Sequence, residues 1–210
     1  MADGAGSQGG SREAPVIEDL GRQPYAAVHA RMHEIAQSIR RGECTGKVLL
    51  VEHDSVWTAG RATPPAEMRD DFVRVERGGR VTWHGPGQLV VYPIVRLPRP
   101  DAGAWLRALE RFGIEICEAF GLAAEASTDG TGVFVAGRKV ASIGVALHAW
   151  VNIHGIAINV DVDLTAFHAI RPCGLDPAIM SDLSQCIGRR ITLDEAKSVA
   201  RAAIPRLVAG

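Results

Sequence analysis

GVFVAGRKVASIGVALHAWVNIHGIAINVDV runs from Gly132 to Val162, and its reading decides the fold. It divides into GVFVA, a GRK turn, VASIGVALHAW and VNIHGIAINVDV, runs rich in Val, Ile and Ala. Connections this short between β-forming runs predict a meander of antiparallel strands. In the middle run Ala141, Ile143, Val145 and Leu147 share one face; Ser142, Gly144, Ala146 and His148 share the other. A face of small residues leaves either a shallow channel for an extended ligand or room for a closely packed helix. Lys139 has the parity of the apolar face, so its ammonium is expected to start there. It then either snorkels to water or is desolvated with a lowered pKa.

Working outward, Tyr25, Val28, Met32, Ile35 and Ile39 recur at steps of three and four after Pro24 and predict a helix. KVLLVEH (Lys47–His53) reads as a buried strand, SVWTAGRATPP (Ser55–Pro65) as a loop, and DFVRVERGG (Asp71–Gly79) as a short strand entering a turn. QLVVYPIV (Gln88–Val95) is another strand. Asp101 caps a helix whose stripe is Trp105, Leu109, Phe112, Ile116 and Phe120, and Gly121 ends it. A short helix (Leu164–Ile170), the turn RPCGLDP and a helix from Leu193 to Val208 follow. The sum is an α+β protein, a mixed or antiparallel sheet with flanking helices. Residues 1–14 are Gly/Ser-rich and expected to be disordered; residues 15–210 form a single domain.

Composition narrows the function. The 210 residues are 47% hydrophobic and 22% charged, with a net charge of −1, so no global field favours a nucleic acid. No apolar run is long enough to span a membrane. The N-terminus has no secretory signal, and four cysteines without a CxxC pair suit a reducing, cytoplasmic setting. Three lysines (Lys47, Lys139, Lys197) stand against twenty arginines. A lysine can give up its proton where an arginine cannot, which draws attention to each of the three.

Candidate chemistry is sparse. Cys44, Cys117 and Cys186 read as packing residues. Cys173 sits in Arg171-Pro172-Cys173-Gly174, a turn that can aim a thiol among peptide N–H groups beside an arginine, conditions that lower a thiol pKa. Such turns also carry unreactive cysteines. His29 and His33 are spaced i,i+4, but no third metal ligand is suggested and zinc spacings are missing. Phosphate loops and the serine nucleophile elbow are absent too. RGGRVTWHGPGQ (Arg77–Gln88) places two glycine turns close together, which either tightens a hairpin or brings bare backbone to a ligand.

RGGRVTWHGPGQ, GRKVASIGVAL, HGIAINV and RPCGL, in this order, closely resemble the signatures of the lipoyl(octanoyl) transferase family. The resemblance covers nearly all of the chain after about residue 15. It implies the biotin/lipoate protein ligase-like fold, in agreement with the α+β reading. It implies a transfer of octanoyl from octanoyl-acyl carrier protein, through a thioester on Cys173 assisted by Lys139, with no cofactor. The acceptor would be a lysine of lipoyl domains, those of 2-oxoacid dehydrogenase complexes and the glycine cleavage H protein. Arg77, Gly78, Gly79, Arg80, Val81, Thr82, Trp83 and His84 match the family's first substrate-binding stretch. Ser142, Ile143 and Gly144 match the second, and Gly155, Ile156 and Ala157 the third. The chain departs at Ile179-Met180-Ser181-Asp182, where the family often has Val-Thr-Ser, and at Phe134, where it often has Trp. An ATP-using ligase of the same fold would not need Cys173, and a non-catalytic acyl carrier would need neither Cys173 nor Lys139. Arg61, Arg74, Arg77 and Arg80 are expected to attract acidic protein partners.

Overall fold

The computed structural model describes residues 14–127, 131–169 and 176–209. Nearly all of the N-terminal segment expected to be disordered lies outside the described residues. Along the chain run β1 (Val16–Gln23), α1 (Tyr25–Arg41), β2 (Gly46–His53), β3 (Val56–Ala59), β4 (Phe72–Arg74), β5 (Val81–His84) and β6 (Gln88–Val95). Then come α2 (Ala102–Ala119), β7 (Ala124–Ala126), β8 (Val133–Val135), β9 (Arg138–His148), β10 (Val151–Asn159), α3 (Leu183–Ile187) and α4 (Leu193–Ala209). The main sheet has the order β1-β2-β6-β10-β9-β8-β7, and a small sheet has the order β4-β3-β5.

The β8–β9–β10 meander is antiparallel, as its short turns require. β1 pairs with β2 in parallel, which makes the sheet mixed. On one face α2 and α4 pack Trp105, Leu109, Phe112, Ile116 and Ile204 against Val48, Leu50, Val91, Ile156 and Ile158. On the other, α1 packs Val28, Met32, Ile35 and Ile39 against Leu49, Val51, Tyr92 and Ile153. Each such fully buried side chain contributes about 1.5–3 kcal/mol. Asp101 accepts a hydrogen bond from the Ala104 N–H at 2.8 Å, the expected cap of α2, worth about 1 kcal/mol.

The structure departs from the sequence reading at several points, among them β1 and α3, which that reading did not announce. Ser55–Pro65 is not all loop, because Val56–Ala59 is the middle strand of the small sheet, between β4 and β5. Four residues flanked by breakers carry too little periodicity to announce a strand. The two glycine turns of Arg77–Gln88 therefore do not form a simple hairpin; they bracket β5, which pairs with β3. β7 is a three-residue edge strand that periodicity does not reveal.

β6 lies in the middle of the sheet and contains Pro93, which has no N–H to donate. Its pairing with β10 runs from Gln88 to Val91 and resumes only at Arg96. In the gap Asn152 Nδ2 donates to the carbonyls of Pro93 (2.7 Å) and His154 (3.1 Å), and His154 takes a φ of 64°. The proline thus opens the ladder where the candidate site forms.

Candidate active site

β9 has an extra residue. Val133 pairs with Ala141 but Phe134 pairs with Lys139, so Val140 bulges and joins Ala141 and Ile143 in the α2/α4 core. The expected parity of Lys139 is therefore corrected. A bulge shifts the alternation by one, and nothing in the apolar pattern marks it. Lys139 shares a face with its partner Phe134, its Nζ 5.7 Å from that ring's centroid, and not with Ala141 and Ile143. It does not snorkel: the residue is buried, and Nζ donates to the Thr131 carbonyl at 3.1 Å. A Cβ at Gly132 would stand 2.7 Å from Lys139 Cε, so the glycine makes room for the lysine.

Residues 170–175, with Arg171, Pro172, Cys173 and Gly174, lie outside the described residues. The chain following them runs beside Lys139. Met180 bridges Lys139 in parallel register, and the Ser181 N–H donates to the Lys139 carbonyl at 2.9 Å. Ser181, at the departure from the family pattern, therefore has a tethering role through its backbone. The other cysteines are packing residues: burial pushes the Cys117 thiol up to about 12, and Cys44 packs against the α1 core. Cys186 Sγ lies 3.5 Å from Ser181 Oγ.

A narrow cavity of about 30 Å³ is lined by nine of the residues expected to contact substrate: Arg77, Thr82, His84, Ser142, Ile143, Gly144, Gly155, Ile156 and Ala157. Val90, Tyr92 and His154 complete its wall. That volume holds about two waters, so an acyl chain would have to part the walls. The remaining five, Gly78, Gly79, Arg80, Val81 and Trp83, are not among the residues lining it. Strand alternation sends Thr82 and His84 to the cavity, and Val81 and Trp83 to a separate core with Phe72 and Phe167. Trp83 Nε1–H donates to Ser55 Oγ at 2.9 Å. Gly78 N–H donates to the Val145 carbonyl at 3.0 Å, docking the turn on β9. Gly79 has a φ of 78°, which suits glycine.

The arginines of this turn are committed to the fold. Arg77 is buried, and its guanidinium donates to the carbonyls of Gly78, Arg80 and Thr58 and to Thr58 Oγ1, at 2.8–3.0 Å. Arg80 is paired with Glu67. Of the four arginines expected to attract a partner, Arg61 and Arg74 are exposed. A Cβ at Gly144 would stand 2.9 Å from Arg77 Cδ, and one at Gly155 would overlap the Val91 carbonyl and stand 2.8 Å from Pro93 Cδ. At these two glycines the missing side chain makes room for the protein itself.

A buried chain of hydrogen bonds links the cavity to Lys139. His84 Nδ1 meets Gln88 Oε1 at 2.7 Å, Gln88 Nε2 donates to Asn159 Oδ1 at 2.9 Å, and Asn159 Nδ2 donates to the Ser181 carbonyl at 2.9 Å. Ser181 is bonded to Lys139 in turn. Burial, then the neighbouring His53, push His84 down to about 3, so it is neutral near pH 7. With Nδ1–H donating to Gln88, its Nε2 is left as an acceptor. His53 Nε2 meets the Tyr92 hydroxyl at 3.0 Å, and burial lowers the His53 pKa. Gln88 and Asn159 fall inside the quoted motifs RGGRVTWHGPGQ and HGIAINV, and Tyr92 inside the strand QLVVYPIV, but the sequence reading gave none of the three a role.

Residues 24–204 match the model of the lipoyl protein ligase A/B catalytic domain. The chain belongs to this family. It is 42% identical over 199 residues to an octanoyltransferase of Salinispora tropica, covering 90% of this chain and 92% of that protein. It is 40% identical to octanoyltransferases of Nocardia farcinica (93% of this chain, 82% of that one) and Mycobacterium tuberculosis (90% and 84%). Among these relatives the family member is an acyltransferase. Solved structures share its fold. Lipoate-protein ligase A bound with ATP superposes with a TM-score of 0.73 at 14% identity, over 94% of this chain and 86% of that one. The biotin protein ligase of Aquifex aeolicus in complex with biotin and ATP gives 0.55 at 14% identity, over 92% and 70%.

Proposed function

We propose that the protein transfers an octanoyl group from octanoyl-acyl carrier protein to a lysine of lipoyl domains, those of 2-oxoacid dehydrogenases and glycine cleavage H protein. The transfer goes through a thioester on Cys173. The observation that carries this reading is the buried Lys139, held in register with Met180, seven residues after Cys173 in sequence, in a chain about 40% identical to octanoyltransferases.

The Cys173 thiolate attacks the donor's thioester carbonyl. A new S–C bond forms, the carrier's thiolate leaves, and the Lys139 ammonium returns a proton to it. The amine of the acceptor lysine then attacks the acyl-enzyme. The C–N bond forms, the Cys173 sulfur leaves, and the amine's surplus proton passes to Lys139. The net change is thioester plus amine to amide plus thiol, which needs no ATP. Covalent catalysis lets two bulky protein substrates bind in turn. The neutral His84 and the small Ser142, both lining the cavity, support binding of the acyl group there.

Intact-protein mass after incubation with octanoyl-acyl carrier protein tests this. One octanoyl mass is expected, removable by hydroxylamine and not formed by Cys173→Ser. An adduct persisting in that variant on Cys44, Cys117 or Cys186 would overturn the assignment. AMP formation during turnover would point instead to an ATP-dependent ligase.

A further inference from the structure

The spacing of His29 and His33 suggested no third ligand, but the fold brings two more groups to them. One turn apart on α1, their Nε2 atoms are 3.3 Å from each other. Glu76, from the segment between β4 and the arginine–glycine turn, places Oε1 3.2 Å and Oε2 3.1 Å from His29 Nε2. Its Oε1 is also 3.0 Å from His33 Nε2. His154, from the stretch of β10 opposite Pro93, places Nε2 3.1 Å from the same Oε1. The ligand atoms of His29, Glu76 and His154 all lie within 4.8 Å of one another.

We propose that His29, Glu76 and His154 bind one divalent transition-metal ion of the zinc class, with solvent as the fourth ligand and His33 hydrogen-bonded to Glu76 beside it, which clips α1 and the arginine–glycine turn to β10. Zinc takes imidazole nitrogen at about 2.0–2.1 Å and carboxylate oxygen at about 2.0–2.2 Å, so neighbouring donors on a tetrahedron stand roughly 3.3 Å apart. Glu76 Oε1 stands 3.2 Å from His29 Nε2 and 3.1 Å from His154 Nε2, close to that spacing.

Protons fill this space poorly. If His29 donates to Oε2 and His33 and His154 donate to Oε1, the His29 and His33 nitrogens face each other 3.3 Å apart as two donors. An ion at the centre lets His29, Glu76 and His154 each present a lone pair. Imidazole with one carboxylate suits zinc, cobalt or nickel, whereas calcium and magnesium take oxygen ligands. The His29 side chain is 24% exposed and that of His154 is 3% exposed, so the site opens to solvent beside α1 and closes toward the cavity. His29 stacks between Tyr25 and His154 with ring centroids 5.6 Å away on each side, which fixes its ring. Glu76 precedes Arg77 and His154 precedes Gly155, so the ion would stiffen two walls of the cavity.

The test uses the untagged full-length chain, stripped with a chelator and titrated with Zn²⁺ by calorimetry and with Co²⁺ by visible absorption. One equivalent per chain is expected, with the intense d–d bands of four-coordinate Co²⁺ and a raised Tm at saturating Zn²⁺. His29→Ala, at a ligand 24% exposed, keeps the fold testable and should weaken binding at least tenfold, as should Glu76→Gln. The proposal is overturned if no equivalent binds, if Co²⁺ gives only the weak bands of an octahedral ion, or if both variants bind as the parent does.

Discussion

Asn159→Ala cuts the buried link between the cavity and Lys139. Asn159 is 1% exposed, accepts from Gln88 and donates to the Ser181 carbonyl. The substitution strands two partners that water cannot reach, since Gln88 is 1% and Ser181 0% exposed. Each buried polar group left unpaired costs about 1–3 kcal/mol. Gln88 Nε2 retains a long bond to the Trp83 carbonyl at 3.4 Å, which places the sum in the lower half of the range, about 2–4 kcal/mol. For a chain of this size that lowers Tm by roughly 4–16 °C. Urea unfolding of parent and variant at pH 7 measures the loss, with the m-value unchanged if both unfold alike. Because Ser181 also holds Lys139, kcat should fall about tenfold at a temperature where the variant is folded, equivalent to about 1.4 kcal/mol of barrier. A stability loss below about 0.5 kcal/mol would refute the energetics, and an unchanged kcat would refute the link to Lys139.

Lys139→Met keeps the buried volume but removes the charge and the proton; it should fold, lose acyl transfer, and move Cys173 alkylation to higher pH. Alkylation and turnover equal to the parent's would exclude the lysine from the mechanism. Ser142→Leu places a larger side chain on the cavity wall and should penalise octanoyl donors more than acetyl donors in KM. Gly144→Val instead displaces Arg77, so it should impair all donors alike; selective loss of long-chain donors there would contradict the packing described. His84 is held near 3 against 6.5 when unfolded. Below pH 6.5 the unfolded chain therefore binds a proton that the folded chain refuses, and stability falls with falling pH by up to about 1.4 kcal/mol per unit. Above pH 6.5 the group contributes nothing. His84→Gln should flatten the urea midpoint over that acidic range, and an unaltered slope would mean that His84 does not carry the effect.

The sequence by itself determined the elements whose signal is local. The three- and four-residue steps of α1 and α2, the Asp101 cap, the apolar runs of β2 and β6, and the short turns of the meander all need only near neighbours to be read. Its ordered motifs also pointed to the family, and nine of the residues they named line one cavity. Only the tertiary structure decided matters that depend on distant pairing. β3 becomes a strand because β4 and β5 flank it. The Val140 bulge turns Lys139 to the face opposite the one its parity indicated. Gly144 and Gly155 are bare because Arg77, Val91 and Pro93 occupy the space. Glu76 and His154, remote from α1 in sequence, meet His29 and His33 only because the sheet brings β10 beneath the helix. Periodicity describes which way a side chain faces along one element, whereas chemistry between elements depends on which strands pair and in what register.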